Sequence, residues 1–319
     1  MKTVRFWGTR GSIPVALTAS AVRAKVEAAL RGARDRRLGT DESEREYLDS
    51  LEFHQVATFG GHSSCVQFDA GGLDYVLCDL GSGARPFAQA MMARHGPGKP
   101  QTYHVFMSHL HWDHIMGLPF FTPAYIPGNR LIIYGCHARL EEAFIRQQAE
   151  PSFPVDFSII GGQVSFVTLE PGRRYDVAGL AVTPKKQMHA GDSYGYRFEA
   201  GGKSVVYSTD SEHKLDDPEE TEGFVEFFRN ADVVIFDAMY SLADAVSVKA
   251  DWGHSSNVVG VELCQLAGVK HFCMFHHEPA FDDAAIARVL ADTRRFEEIT
   301  RTGAPLAVTA AYDGMEITL

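Results

Sequence analysis

The stretch His104–Gly117, HVFMSHLHWDHIMG, decides how the rest of the chain is read. His104 to Met107 is a short apolar run that suits a buried strand, and it delivers into Ser108 and four potential ligands: His109, His111, Asp113 and His114. Along an extended backbone His109 and His111 point to one side. Asp113 and His114, being adjacent, diverge toward a second centre. The HxHxDH pattern therefore implies two metals. Chance is a poor rival, because such a pattern arises by accident about twice in a thousand chains of this composition.

The 319 residues, 45% of them hydrophobic, suffice for a sizeable core. No apolar run approaches the roughly 20 residues of a membrane helix, and Met1 leads almost at once into the strand-like Thr3 to Trp7. A cytoplasmic location is expected. Five cysteines, odd in number and without a CxxC, read as reduced thiols. The net charge of −11 argues against a long nucleic acid as partner, since such binding draws on many Lys and Arg contacts. A small anionic substrate stays compatible, because bound divalent cations reverse the charge locally.

Around the central stretch, apolar runs read as strands at Cys65–Phe68, Tyr75–Cys78, Leu131–Tyr134, Gln163–Thr168, Leu180–Lys186, Tyr194–Glu199, Ser204–Tyr207 and His271–Phe275. Helical spacing marks Ala84–Arg94, Ala138–Gln148, Ser255–Leu266 and Asp282–Ile299. Residues 18–51 read as an inserted helical hairpin with Thr18 or Ser20 and then Thr40 as caps. Its first half is basic (Arg23, Lys25, Arg31, Arg34, Arg36, Arg37) and its second half acidic. Mutual neutralisation of the two helices is the expectation, in preference to a basic lid over an anion. With no linker or low-complexity run, residues 1–319 read as one domain carrying that insertion. The proline-rich loop after His114, GLPFFTPAYIPGN, either walls a pocket or packs on the core.

Acids recur at strand ends: Asp79, Asp210 and Asp237. Asp79 is placed to orient a metal-bound imidazole from behind. Two metal centres need about seven donors, so more must come from downstream. The candidates are His189, Asp210, His254 and either His276 or His277. His-rich donor sets suit zinc first and manganese second.

The segments RFWGTRGSIPV, GGHSSC, CDLGSG, SHLHWDHIMGLPFF, SYGYR, YSTD, WGHSS and FHHEP occur in an order that resembles the metallo-β-lactamase superfamily, in its phosphodiesterase branch with tRNase Z and cyclic-phosphate phosphodiesterases. The resemblance implies an αββα sandwich, an α/β fold with the metals at one edge. It implies a dinuclear hydrolase in which one metal takes His109, His111 and His189, the other Asp113, His114 and His276, and Asp210 bridges both. His254, with Asp113, is implied as catalytic: it lies near the metals without binding them. Two departures stand out. His62 occupies a place where Asn is expected, and nothing resembles the basic arm with which tRNase Z grips tRNA. Small diesters are therefore the expected substrates, and a homodimer the expected assembly. A carbonyl hydrolase acting on a lactone, thioester or β-lactam, a di-iron oxidoreductase and an inactive nucleotide-binding module are the rivals. The WGHSS histidine argues against the first, and His111, where a di-iron relative carries Glu, against the second.

Overall fold

In β1 (Thr3–Gly8) Val4 and Phe6 are fully buried while Arg5 faces solvent, the period-two pattern of a strand with one face on a core. A computed structural model of the chain describes residues 1–213, 217–240 and 253–319. Two seven-stranded sheets dominate it. The first combines β1 with β2 (Cys65–Asp69), β3 (Tyr75–Cys78), β4 (Thr102–Phe106), β5 (Arg130–Gly135), β6 (Gln163–Thr168) and β14 (Glu316–Thr318), in the order β14-β1-β2-β3-β4-β5-β6. The second runs β13-β12-β11-β10-β9-β8-β7. It is built from β7 (Tyr175–Val177), β8 (Leu180–Gln187), β9 (Ser193–Ala200), β10 (Lys203–Ser208), β11 (Val233–Asp237), β12 (His271–Phe275) and β13 (Ala307–Ala310). Strands β3 to β6 are parallel, as are β10 to β13.

The inner parallel strands β3, β4, β10, β11 and β12 are buried on both faces, which is why they read as apolar runs, whereas the edge strand β6 has no buried residue. Between the sheets lies a layer in which Phe68 stacks on Phe198 at 4.2 Å and Phe106 meets Tyr196 at 5.4 Å. Each such ring contributes roughly 1.5–3 kcal/mol by leaving water. The outer face of the first sheet packs on α4 (Ala84–His95) and α6 (Leu140–Gln147). That of the second packs on α7 (Pro218–Phe228), α8 (Asn257–Leu266) and α9 (Asp283–Thr300). The expected αββα sandwich is what forms. No helix among the described residues is long and apolar enough to cross a membrane.

The insertion forms α1 (Ala19–Gly32), capped by Thr18, α2 (Asp41–Asp49), capped by Thr40, and the short α3 (Phe53–Val56). Its charges do not behave as expected. Among the described residues no ion pair joins α1 to α2: Arg23 pairs with Glu27 at 2.8 Å within α1, and Arg36 lies over the ring of Tyr47. The two helices meet instead through Tyr47, whose hydroxyl donates to the Ala29 carbonyl. One cation anchors the insertion. Lys25 reaches inward to Asp283 at 2.8 Å and to the carbonyl of Ala57.

Candidate metal centre

Six strands of the two sheets end at one rim, and the site is assembled from the residues just past those ends. Asp79 follows β3, Ser108 and His109 follow β4, His189 follows β8, Asp210 follows β10, Asp237 ends β11 and His276 follows β12. Asp79, Asp210 and His276 all adopt left-handed backbone, at φ 60°, 47° and 59°. Such conformations are costly for residues with a Cβ, and turn each side chain sharply away from its strand. After His111 the chain makes one helical turn, α5 (Trp112–Ile115), which carries Asp113 and His114 inward together. They do not diverge from each other. Asp113 Oδ2 lies 3.2 Å from His114 Nε2.

Two donor groups result. His109, His111 and His189 bring ligand atoms within 4.8 Å of one another, and so do Asp113, His114, Asp210 and His276. Asp210 joins them. Its Oδ2 is 3.6 Å from His109 Nε2 and 3.3 Å from His276 Nε2, and its Oδ1 is 3.3 Å from His114 Nε2. His254 also falls within ligand reach of His189 and Asp210.

The far sides of the His114, His189 and His254 imidazoles are held from behind. Asp79 accepts from His114 Nδ1 at 2.7 Å, from the Ser108 amide at 2.8 Å and from the Tyr207 hydroxyl at 2.8 Å. His189 donates through Nδ1 to the Gly253 carbonyl at 2.7 Å, and His254 donates through Nδ1 to Asp237 at the same distance. Such contacts set both the tautomer and the direction of the free nitrogen. Glycine is required where the imidazoles press hardest: a Cβ on Gly253 would sit 2.5 Å from His189 Nδ1, and one on Gly11 2.7 Å from the His276 ring.

Electrostatics show what the cluster lacks. Burial opposes ionising Asp210, yet the imidazoles of His276, His114 and His109 outweigh it and hold the carboxylate well below its ordinary range. For Asp113 the same contest, dominated by His114, ends the same way. Burial also opposes a charged His114, but Asp113, Asp210 and Asp79 push its pKa well up. Buried carboxylates thus draw positive charge inward, and a divalent cation supplies it without a proton on His114. The Nε2 atoms of His109 and His114 are buried and meet no hydrogen-bond partner among the described residues. Buried polar atoms left in that condition fit metal ligation. At His254 burial opposes the cation, Asp237 outweighs it, and the pKa rises to about 9.

Other candidates face elsewhere. His277 donates through Nε2 to the Ala311 carbonyl at 2.7 Å and packs edge-on against Phe59. Tyr196 donates to the Met107 carbonyl, and Arg197 to the carbonyls of Phe227 and Arg229. His62 meets the Ser82 hydroxyl at 3.2 Å, a contact an Asn amide could also make. All five cysteines are free thiols, four of them buried. Trp252 of the WGHSS motif lies outside the described residues. Sequence reasoning noted Asp237 as a strand-end acid without a role, and missed the Gly253 carbonyl, which no side-chain pattern could announce.

Beside the cluster opens a cavity of about 790 Å³, walled in part by Met116, Gly117 and Phe120. The proline-rich loop therefore does both things expected of it: Phe120 faces the cavity while Leu118 and Phe121 are buried in the core.

Comparison with known proteins places this arrangement. Residues 74–277 match the family model of the beta-lactamase superfamily domain. Ribonuclease Z of Listeria monocytogenes is 24% identical over 250 residues, 64% of this chain and 79% of that protein. Among solved structures, the metallo-beta-lactamase fold protein YhfI of Bacillus subtilis aligns at a TM-score of 0.65 with 18% identity, covering 99% of this chain and 98% of that one. The short form of human tRNase Z aligns at 0.60 with 18% identity and the same coverage. With its matched stretch running from before Asp79 to the histidine doublet, this chain belongs to the beta-lactamase superfamily and is a metal-dependent hydrolase.

Proposed function

We propose that the chain is a phosphodiesterase acting on a small substrate: a cyclic nucleotide, a cyclic phosphate or a short dinucleotide. Two divalent cations serve it, zinc or alternatively manganese. His109, His111 and His189 hold one, Asp113, His114 and His276 hold the other, and Asp210 reaches both. Cations so held would neutralise charge on the phosphoryl oxygens and supply a water acidic enough to lose a proton near neutral pH. The protein's own part is orientation and proton transfer. Asp79 and the Gly253 carbonyl fix the imidazoles of His114 and His189, so their ligating nitrogens point into the cluster. His254, its Nδ1 proton committed to Asp237, has its second nitrogen left to protonate the leaving oxygen.

The observation that carries this reading is the Asp237–His254 pair, whose imidazole stands 5.0 Å from the His189 ring and 5.1 Å from that of His276. An imidazole held by a carboxylate beside paired metal sites matches an alkoxide leaving group, which needs a proton. The ribonuclease Z relatives support a phosphodiester, while the net charge of −11 favours a small one. The same proposal takes residues 1–319 as one domain and the assembly as a homodimer. A hydrolysis screen with defined metals tests it, setting cyclic nucleotides, cyclic phosphates and linear diesters beside lactones and β-lactams. Turnover of diesters is expected, and turnover confined to the carbonyl substrates would overturn the reading.

A further inference from the structure

The 790 Å³ cavity beside the cluster is framed by the two roots of the helical insertion. Pro14 to Leu17 lead into α1, and Thr58 and Gly60 to His62 lead out of α3. None of the seven clustered donors lines it, yet it is joined to them through one short relay. The Ser63 hydroxyl donates to the Asp113 carbonyl at 2.7 Å, the Ser63 amide donates to the Ser82 hydroxyl, and Ser82 meets the cavity residue His62. On the other side Met116 and Gly117 lie two and three residues after His114, so one wall of the cavity and the second donor group share one short stretch of chain.

The lining specifies a ligand. Its volume lies in the range of sites for drug-sized molecules, where a mostly apolar wall carries a few polar groups. Val15, Leu17, Met116 and Phe120 supply the apolar part, and Phe120 is 56% exposed, an aromatic face open for stacking. Asp313 supplies the polar part. Its carboxylate already accepts from the amides of Gly61 and His62 and from the Thr9 hydroxyl, with no cation paired to it among the described residues. Gly60, at φ 103°, is what lets the backbone pass so close: a Cβ there would fall 2.3 Å from Asp313. A carboxylate in such a wall selects hydrogen-bond donors and rejects a second anion. At the rim stands Arg85, exposed and in no ion pair among the described residues, suited to a phosphoryl oxygen.

We propose that this cavity seats the nucleoside arm of the substrate, with the base stacked on Phe120, its N–H edge toward Asp313 and the attached phosphate between Arg85 and the metal centre. This rests on the phosphodiesterase reading and deepens it. The insertion thereby acquires a purpose that its charges do not explain. Lys25, held to Asp283, whose carboxylate also takes the Thr58 hydroxyl and the Phe59 amide, fixes the outgoing root against the body of the protein.

Two measurements on the full-length, metal-loaded chain test the proposal, each with Phe120→Ala and with Ala16→Trp, which fills the cavity from an exposed loop. The first compares hydrolysis of thymidine 5′-(p-nitrophenyl phosphate) with that of methyl p-nitrophenyl phosphate, two diesters with the same leaving group. The second compares calorimetric binding of adenosine 5′-monophosphate with that of inorganic phosphate. Loss of a base–aromatic stack should lower the preference for the nucleoside ester, and for the nucleotide over phosphate, about tenfold in each variant. Unchanged ratios in both assays would overturn the assignment, as would equal losses on the two esters. Should the wild type hydrolyse neither ester yet lose nucleotide binding in the variants, the cavity assignment stands and the phosphodiesterase reading falls.

Discussion

The metal cluster and the helical insertion are opposites in how the chain spends its burial. At the rim of the sheets His109, His114 and His276 are wholly buried, and the Nε2 atom of each faces the carboxylate of Asp210. In the insertion, α1 has no buried residue at all, and Val22, Val26 and Leu30 show 47%, 53% and 67% of their surface. The first region is over-determined: changing one member leaves buried charge without a partner. The second is tied to the body chiefly through Lys25 and through Phe53, which packs on Phe59 and Tyr312, while Tyr47 joins its two longer helices to each other. What the contrast teaches is that density of charge in a sequence says little about importance. The insertion carries a far denser run of cations than the rim, yet the chemistry resides where charges are buried and held from behind.

The comparison breaks first at His254, if it breaks. Replacing it with Ala should cut kcat by about 10²–10⁴-fold for an alkoxide leaving group and far less for a nitrophenolate, which leaves without a proton. Both metals should remain, as measured on the same preparation. Loss of a metal would make His254 a ligand, consistent with its reach to His189 and Asp210. Equal losses with both leaving groups would assign it to binding the phosphoryl oxygens.

A smaller effect sharpens the claim that support from behind matters. Asp79→Asn keeps the size of a side chain that accepts from His114, Ser108 and Tyr207 but removes its charge. Metal affinity or activity should fall about 10–100-fold, read by titration against a chelator. An unchanged affinity would mean that the left-handed turn at Asp79 alone positions His114.

The smallest effect belongs to the insertion. Replacing Arg34, Arg36 and Arg37 together with Gln should shift stability by no more than about 0.5 kcal/mol and leave KM for a small diester within about twofold. A large rise in KM that diminishes with added salt would instead identify these cations as a lid over the substrate.

How far the molecule was legible in its sequence follows from the same contrast. HxHxDH, the strand-end acids and the apolar runs of the parallel sheets announce themselves, because metal ligation and two-sided burial each demand particular residue types at close spacing. The role of Asp79 was legible because it follows an apolar run directly. The hold of Asp237 on His254 was not, since 17 residues separate them and only the folded rim brings them together. The His276–His277 doublet stayed open because adjacency in sequence says nothing about which ring turns inward. In the fold a left-handed φ sends His276 to the cluster and leaves His277 on the Ala311 carbonyl. Charge patterning misled in the insertion, where an aromatic hydroxyl joins the two helices and one half-buried lysine, not opposed helical charges, ties them to the body.

The central claim is that two groups of donors, joined by Asp210, hold two cations. Elemental analysis of the purified chain tests it most directly, together with Asp210→Ala and with folding monitored by circular dichroism. The account predicts about two transition-metal ions per wild-type chain, and the loss of both from a variant that remains folded, because one carboxylate faces both groups. A fully active wild-type protein with a single metal per chain, or a variant that keeps one ion at full occupancy, would contradict it.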